Sequence, residues 1–213
     1  MARYTAITPD MTEAVIRHLR DSFFADEPLN RAVGLCRRGE PHAALERLCA
    51  ATITDGLSIA AIDDDTGHTK TVLGPATRLI IRIVFFLSPN PDLTAIFQIF
   101  TILYTVSRDL DLFSTYQVDS ILECRIISVS GAARGRGLAK ELMRRSIQTA
   151  MDHGFKLFKV DATGAYSQRI CSSLGLKVLH KVRYSEYCDA SGAPVFNVPP
   201  PHDSLCVMTL ELP

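Results

Sequence analysis

The chain has 213 residues, a length served by one α/β core or two small ones, and a single domain over 1–213 is the first expectation. With 47% hydrophobic and 22% charged residues it has the balance of a globular protein, which sets aside disordered and fibrous classes. Lys plus Arg equals Asp plus Glu at 23 each, so no net field draws it to nucleic acid or to an anionic membrane, and neither is an expected partner.

Ala2 to Ile7 reads as a strand, and Pro9 and Asp10 start a helix in which Met11, Val15, Ile16, Leu19, Phe23 and Phe24 recur at helical spacing up to Pro28. The start of the chain has no apolar signal core, so a cytoplasmic protein is expected. A second helical repeat runs from Pro41 to Thr54, followed by Gly56 and a strand over Leu57 to Ile62. Thr71 to Leu87, broken by Gly74 and Pro75, suits one or two short strands. Pro91 to Phe113 repeats Leu93, Ile96, Phe97, Phe100, Leu103, Leu110 and Phe113 as one helix, and Asp119 to Val129 reads as a buried strand. Its apolar stretches are too short or too interrupted to span the ~20 residues of a bilayer.

Arg136 to Gly154 is an amphipathic helix, with Leu138, Leu142, Met143, Ile147 and Met151 on one face and Lys140, Glu141, Arg144 and Arg145 on the other. Phe155 to Asp161 is a strand, Tyr166 to Leu174 a helix closed by Gly175, and Leu176 to Tyr187 a strand. A proline-bearing loop then leads to a last strand, Leu205 to Leu212. The alternation predicts a mixed sheet with helices on both faces. Six scattered cysteines without a Cys-x-x-Cys pair or a nearby histidine read as buried free thiols, and no metal site is expected.

The most informative stretch is Ile126 to Lys140, where a strand meets Ser130, Gly131, Ala132, Ala133, Arg134, Gly135, Arg136, Gly137 and a helix. Such a turn offers unpaired amides and the positive end of a helix dipole to an anion, and Gly135 and Gly137 let the backbone come close. It lacks the Gly-Lys-Ser/Thr of a P-loop, and the third glycine and downstream acid of a dinucleotide fingerprint.

The form Arg-x-x-Gly-x-Ala, carried by Arg134, Gly137 and Ala139, resembles the pyrophosphate motif of the GNAT N-acetyltransferases. Asp26-Glu27-Pro28-Leu29-Asn30, Tyr166-Ser167 and Pro199-Pro200-Pro201-His202 are similar to segments of the insect arylalkylamine branch, so the likeness covers most of the chain from about residue 20 onward, with Thr69 to Pro91 poorly matched. The resemblance implies the GNAT fold: a central, mixed, mostly antiparallel twisted sheet whose splayed strand pair binds acyl-CoA, with helices on both faces. It implies acetyl-CoA as cosubstrate, held by Ile127, Ser128 and Val129 along the pantetheine and by Arg134, Gly135, Arg136, Gly137, Leu138, Ala139 and Lys140 at the phosphates, with Ser167 nearby. Arg169 is a further candidate for phosphate charge. A monomer acting on a small-molecule amine is expected.

Attack by an amine of pKa ~10 on a thioester requires a group that removes its proton. By resemblance that base is Glu27, Ser167 assists the leaving thiolate, and Thr163 stands where the family has a second catalytic serine. The Val129 amide would polarise the carbonyl. Phe23, Phe24, Tyr104, Phe113, Tyr184 and Tyr187 could line an aromatic pocket, although aromatics at such spacing are more often core. The six histidines show no pairing and read as surface or loop residues. A polyamine or protein-terminus acceptor, indicated by an acidic pocket, and a coenzyme A-binding protein without turnover are the alternatives.

Overall fold

The computed structural model describes residues 2–63, 69–73 and 91–213. The expected strand or strands of Thr71 to Leu87 therefore lie, beyond Leu73, outside the described residues.

Two four-stranded sheets form the frame. The first has the order β1 (Ala2–Ala6), β2 (Ile59–Asp63), β3 (Thr69–Leu73) and β5 (Ile126–Ile127), antiparallel throughout. The second has the order β4 (Leu122–Glu123), β6 (Leu157–Ala162), β8 (Ser204–Glu211) and β7 (Lys177–Arg183), in which β4 and β6 alone run parallel. Strand periodicity sends neighbouring side chains to opposite faces, so Ala60 of β2 packs under α1 (Thr12–Ser22) and α3 (Ala43–Ile53) while Ala61 packs under α6 (Leu138–Asp152). Both alanines are fully buried, and their small size lets helices approach on each side. On β6, Phe158, Val160 and Ala162 meet α6. The opposite side of the second sheet is covered by α4 (Pro91–Leu110), whose Ile99 and Ile102 pack with Leu205 of β8.

Several boundaries differ from the sequence reading, for local reasons. The first helix ends at Ser22, and Pro28, rather than ending it, opens α2 (Pro28–Ala32) at the first helical position, where a missing N–H costs nothing. The helix predicted over Pro91 to Phe113 breaks at Asp111, which takes a left-handed conformation (φ 38°) before α5 (Leu112–Tyr116). The continuous strand predicted over Asp119 to Val129 is two short strands in two sheets. The Cys124 amide makes a 2.9 Å bond to the Lys159 carbonyl, and then the chain leaves β6 and joins β3. Apolar residues run through both halves of the stretch, Ile121, Leu122 and Cys124 in one and Ile126, Ile127 and Val129 in the other, so the change of partner leaves no mark on the pattern.

The cysteines are free, as expected, but not all buried: Cys188 is exposed and Cys36 half-buried. Among the described residues no helix is long and apolar enough to cross a membrane.

Candidate active site

Where the chain parts from β6, a wedge opens between the Ile127–Val129 segment and the end of β6. It continues into a cavity of about 1220 Å³ that reaches Glu27, the turn before α6 and the start of α7 (Ala165–Ser173).

The acidic end of the cavity is built by the segment after α1. Glu27 is the N-cap of α2, and its carboxylate accepts a 2.7 Å bond from the Asn30 amide. Asn30, itself buried, donates its side-chain amide to the Phe24 carbonyl at 3.0 Å, and Leu29 is sealed in the core. The pentapeptide thus fixes the Glu27 carboxylate from below. Just past the end of β6, Thr163 donates its hydroxyl to the other Glu27 oxygen at 2.6 Å, and the Thr163 carbonyl accepts from the Tyr184 hydroxyl at 2.6 Å. Burial raises the Glu27 pKa above the ordinary carboxylate value, while the Thr163 hydroxyl and the Asn30 and Leu29 amides pull it back. A carboxylate held in place with an elevated pKa is suited to accept a proton near neutrality.

Ser167 lines the same cavity, in the first turn of α7. Its hydroxyl donates 2.8 Å to the Gly164 carbonyl, so it must turn away from its own helix to serve a substrate. Gly164 has no space for a side chain: a Cβ there would stand 3.1 Å from His202 Nδ1 and 3.2 Å from Pro28 Cγ. This packing joins three segments that are distant in sequence.

The turn before α6 is open and glycine-built. Gly135 and Gly137 have φ of 77° and 74°, in the left-handed region that favours glycine, and a Cβ at either would meet nothing within 4 Å. The amide of Glu141 bonds the Gly137 carbonyl, and the amides of Leu138, Ala139 and Lys140 ahead of it have no backbone acceptor among the described residues. An anion such as a pyrophosphate fits this open, amide-lined turn. Arg134 donates to the Val129 carbonyl at 3.2 Å and pairs with Asp26 at 3.1 Å, tying the turn to the residue beside Glu27. Arg136 is exposed and not among the residues lining the cavity, and Arg169 lies over the Tyr166 ring at 5.0 Å.

Other expectations are redistributed. Of the six aromatics, Phe23 and Tyr104 line the cavity; Phe24 and Tyr184 are core, Tyr187 stacks on Phe196, and Phe113 faces a separate cavity of about 230 Å³. Phe100 and Tyr166 join the lining instead. The reading of all histidines as surface or loop residues is wrong for His18. It is buried in α1, with Nε2 2.9 Å from the Ser128 hydroxyl, and burial holds its pKa down to about 4. His202 lines the cavity, and its Nδ1 accepts the Ala165 amide at 3.1 Å, which leaves Nε2 to carry the proton of the neutral ring.

No family model matches the chain. Among solved structures, arylalkylamine N-acetyltransferase 2 from Aedes aegypti is similar over 100% of this chain and 99% of its own, at 37% identity and a TM-score of 0.89. A Drosophila melanogaster polyamine N-acetyltransferase, described as forming N-acetylagmatine, covers 100% of both chains at 26% identity and a TM-score of 0.79. A mosquito arylalkylamine N-acetyltransferase-like protein 5b shares the fold over 100% of both chains at 15% identity, with a TM-score of 0.83. The split sheets, the glycine turn before α6 and full-length likeness to these enzymes lead to one conclusion: the chain belongs to the GNAT superfamily of N-acetyltransferases, beside the insect arylalkylamine and polyamine enzymes, and is an amine N-acetyltransferase.

Proposed function

We propose that the chain moves an acetyl group from acetyl-CoA to the primary amine of an arylalkylamine, by direct transfer while both are bound. Glu27 takes the proton from the bound ammonium, directly or through water. The free amine then attacks the thioester carbonyl, whose developing charge the Val129 amide stabilises. Ser167, swung away from the Gly164 carbonyl, gives a hydrogen bond to the departing thiolate. Thr163 orients the base. The amides of Gly135 to Lys140 hold the pyrophosphate, and the backbone of Ile127, Ser128 and Val129 lies along the pantetheine.

The observation that carries this reading is the Glu27 carboxylate, which accepts from the Asn30 amide and the Thr163 hydroxyl and lines the cavity. The wall that α4 presents there, Ile96, Ile99, Phe100, Leu103 and Tyr104, suits an apolar ring. A polyamine acceptor is the second reading, favoured by the carboxylates of Glu123 and Asp161 on the same cavity.

Thiol release from acetyl-CoA is measured with tyramine, dopamine, serotonin, tryptamine, spermidine and a short peptide, for the wild type and Glu27→Gln, which keeps a cap acceptor. Release with aryl amines that falls by ~10² or more in the variant is the expected result. Saturable coenzyme A binding without release for any amine would instead indicate a binding protein or an acceptor outside the panel.

A further inference from the structure

One buried polar contact joins α1 to the segment that follows β5. His18 is 8% exposed and Ser128 3%, and Nε2 of the first stands 2.9 Å from the hydroxyl of the second. Strand alternation accounts for the meeting. Ile126 packs with the cluster under α1, and Ile127 and Val129 with the cluster under α6, so the Ser128 side chain returns to the α1 side. On α1, His18 shares its face with Val15 and Ser22, three residues before it and four after, and both are buried. Burial keeps the ring neutral, with a pKa of about 4, against the pull of Asp21 and the Ser128 backbone toward the charged form. A neutral ring has one N–H and one free lone pair, and a serine hydroxyl can answer either.

β5 pairs with β3 through Ile126 and Ile127, and among the described residues no strand pairs with Ser128 or Val129. The Val129 amide has no backbone acceptor among the described residues either. Side chains anchor the segment instead: Arg134 donates to the Val129 carbonyl at 3.2 Å, and His18 holds the Ser128 hydroxyl. The Arg134 side chain is 56% exposed, so of these two anchors the buried one is His18. Ser128 lines the cavity and His18 does not, so His18 can act on a ligand only through Ser128.

We propose that His18 is a positioning residue for acetyl transfer: by holding Ser128 it keeps the segment beyond β5 from shifting, so that the Val129 amide stays aimed at the thioester carbonyl. The proposal rests on the reading that this amide meets the carbonyl. A donor stabilises developing charge only within hydrogen-bond range of the oxygen, and a shift on the order of 1 Å at a reacting centre can cost ~10²-fold in rate. Because His18 is absent from the cavity lining, its loss should appear in kcat rather than in the KM of the amine.

The test compares the wild type with His18→Leu, His18→Gln, Ser128→Ala and the double variant His18→Leu/Ser128→Ala, each checked by a thermal melt. In His18→Leu, kcat should fall ~10-fold or more while the KM of the amine stays within about two-fold. His18→Gln, whose amide end can still bond Ser128, should recover most of the rate. Ser128→Ala should show the same loss as His18→Leu, and it carries the test if His18→Leu does not fold. Removing both partners relieves the buried hydroxyl that His18→Leu leaves alone, so the double variant should melt near the wild type yet react as slowly as His18→Leu. A wild-type rate in the double variant overturns the proposal, by showing that the pair serves the fold and not the reaction. A second readout needs no turnover: the infrared carbonyl band of acetyl-CoA, labelled with carbon-13 at the thioester carbonyl and bound to each protein. The wild type should draw the band to lower frequency than in free acetyl-CoA, and His18→Leu and the double variant should return most of that shift. An unshifted band in the wild type, or the same band in every variant, overturns the proposal whichever amine is accepted. Unchanged rates in the His18 variants beside a ~10²-fold loss in Glu27→Gln would reject the positioning role and keep the base. Slow His18 variants beside an unimpaired Glu27→Gln would do the reverse.

Discussion

At the scale of single residues, the Glu27 carboxylate is set between opposing influences, and Thr163 is the adjustable one. Because the Thr163 hydroxyl favours the ionised carboxylate, Thr163→Val should raise the Glu27 pKa and move the acidic limb of the kcat/KM profile to higher pH. A rate–pH titration of the two proteins with one amine checks the direction. His18 gives a stability prediction. Its folded pKa of about 4 lies below the unfolded 6.5, so the unfolded chain takes up its proton first. The stability tied to the neutral ring is complete above pH 6.5, drains away as pH falls, and is gone below about 4, a loss of roughly 3 kcal/mol. Urea unfolding across that range should show a shallower loss for His18→Gln, which keeps an acceptor for Ser128. Neither role is visible in a string of letters: His18 becomes a buried partner only because Ser128, 110 residues away, is brought to it.

At the scale of elements, the glycine turn and α6 were legible because local chemistry alone specifies them. A left-handed N-cap needs glycine, and α6 carries its apolar face at helical spacing. Gly137→Ala should therefore cost about 1 kcal/mol from the left-handed backbone. It should weaken coenzyme A binding several-fold, as measured by titration against a thermal melt of the same sample. The segment around β4 and β5 was not legible to the same degree. Its apolar residues would suit a strand of either sheet, and which strand each half joins is decided by tertiary pairing, Leu122 with Phe158 and Ile127 with Val72. The Asp26 to Asn30 segment lies between these cases. Its capping and its proline are local, but the Thr163 bond that orients Glu27 is not.

At the scale of the whole molecule, the expectation of one domain has a direct test. Calorimetry should show a single unfolding transition, raised by coenzyme A by about 2.7 kcal/mol of stability at a hundredfold excess over its Kd. Two transitions, with one unmoved by the ligand, would contradict it. β4 and β5, separated by two residues, lie in different sheets, and beyond Cys124 the sheets part with the cavity between them. α6 lies against β2 and β3 of one sheet and β6 of the other, with Leu142 and Met143 fully buried at that junction. The arrangement resembles a pair of shears with α6 as the rivet, so a change in how its side chains seat would shift one blade against the other. Substitutions at Leu142 or Met143, which are not among the residues lining the cavity, would then alter the space for a ligand without touching the proposed catalytic groups.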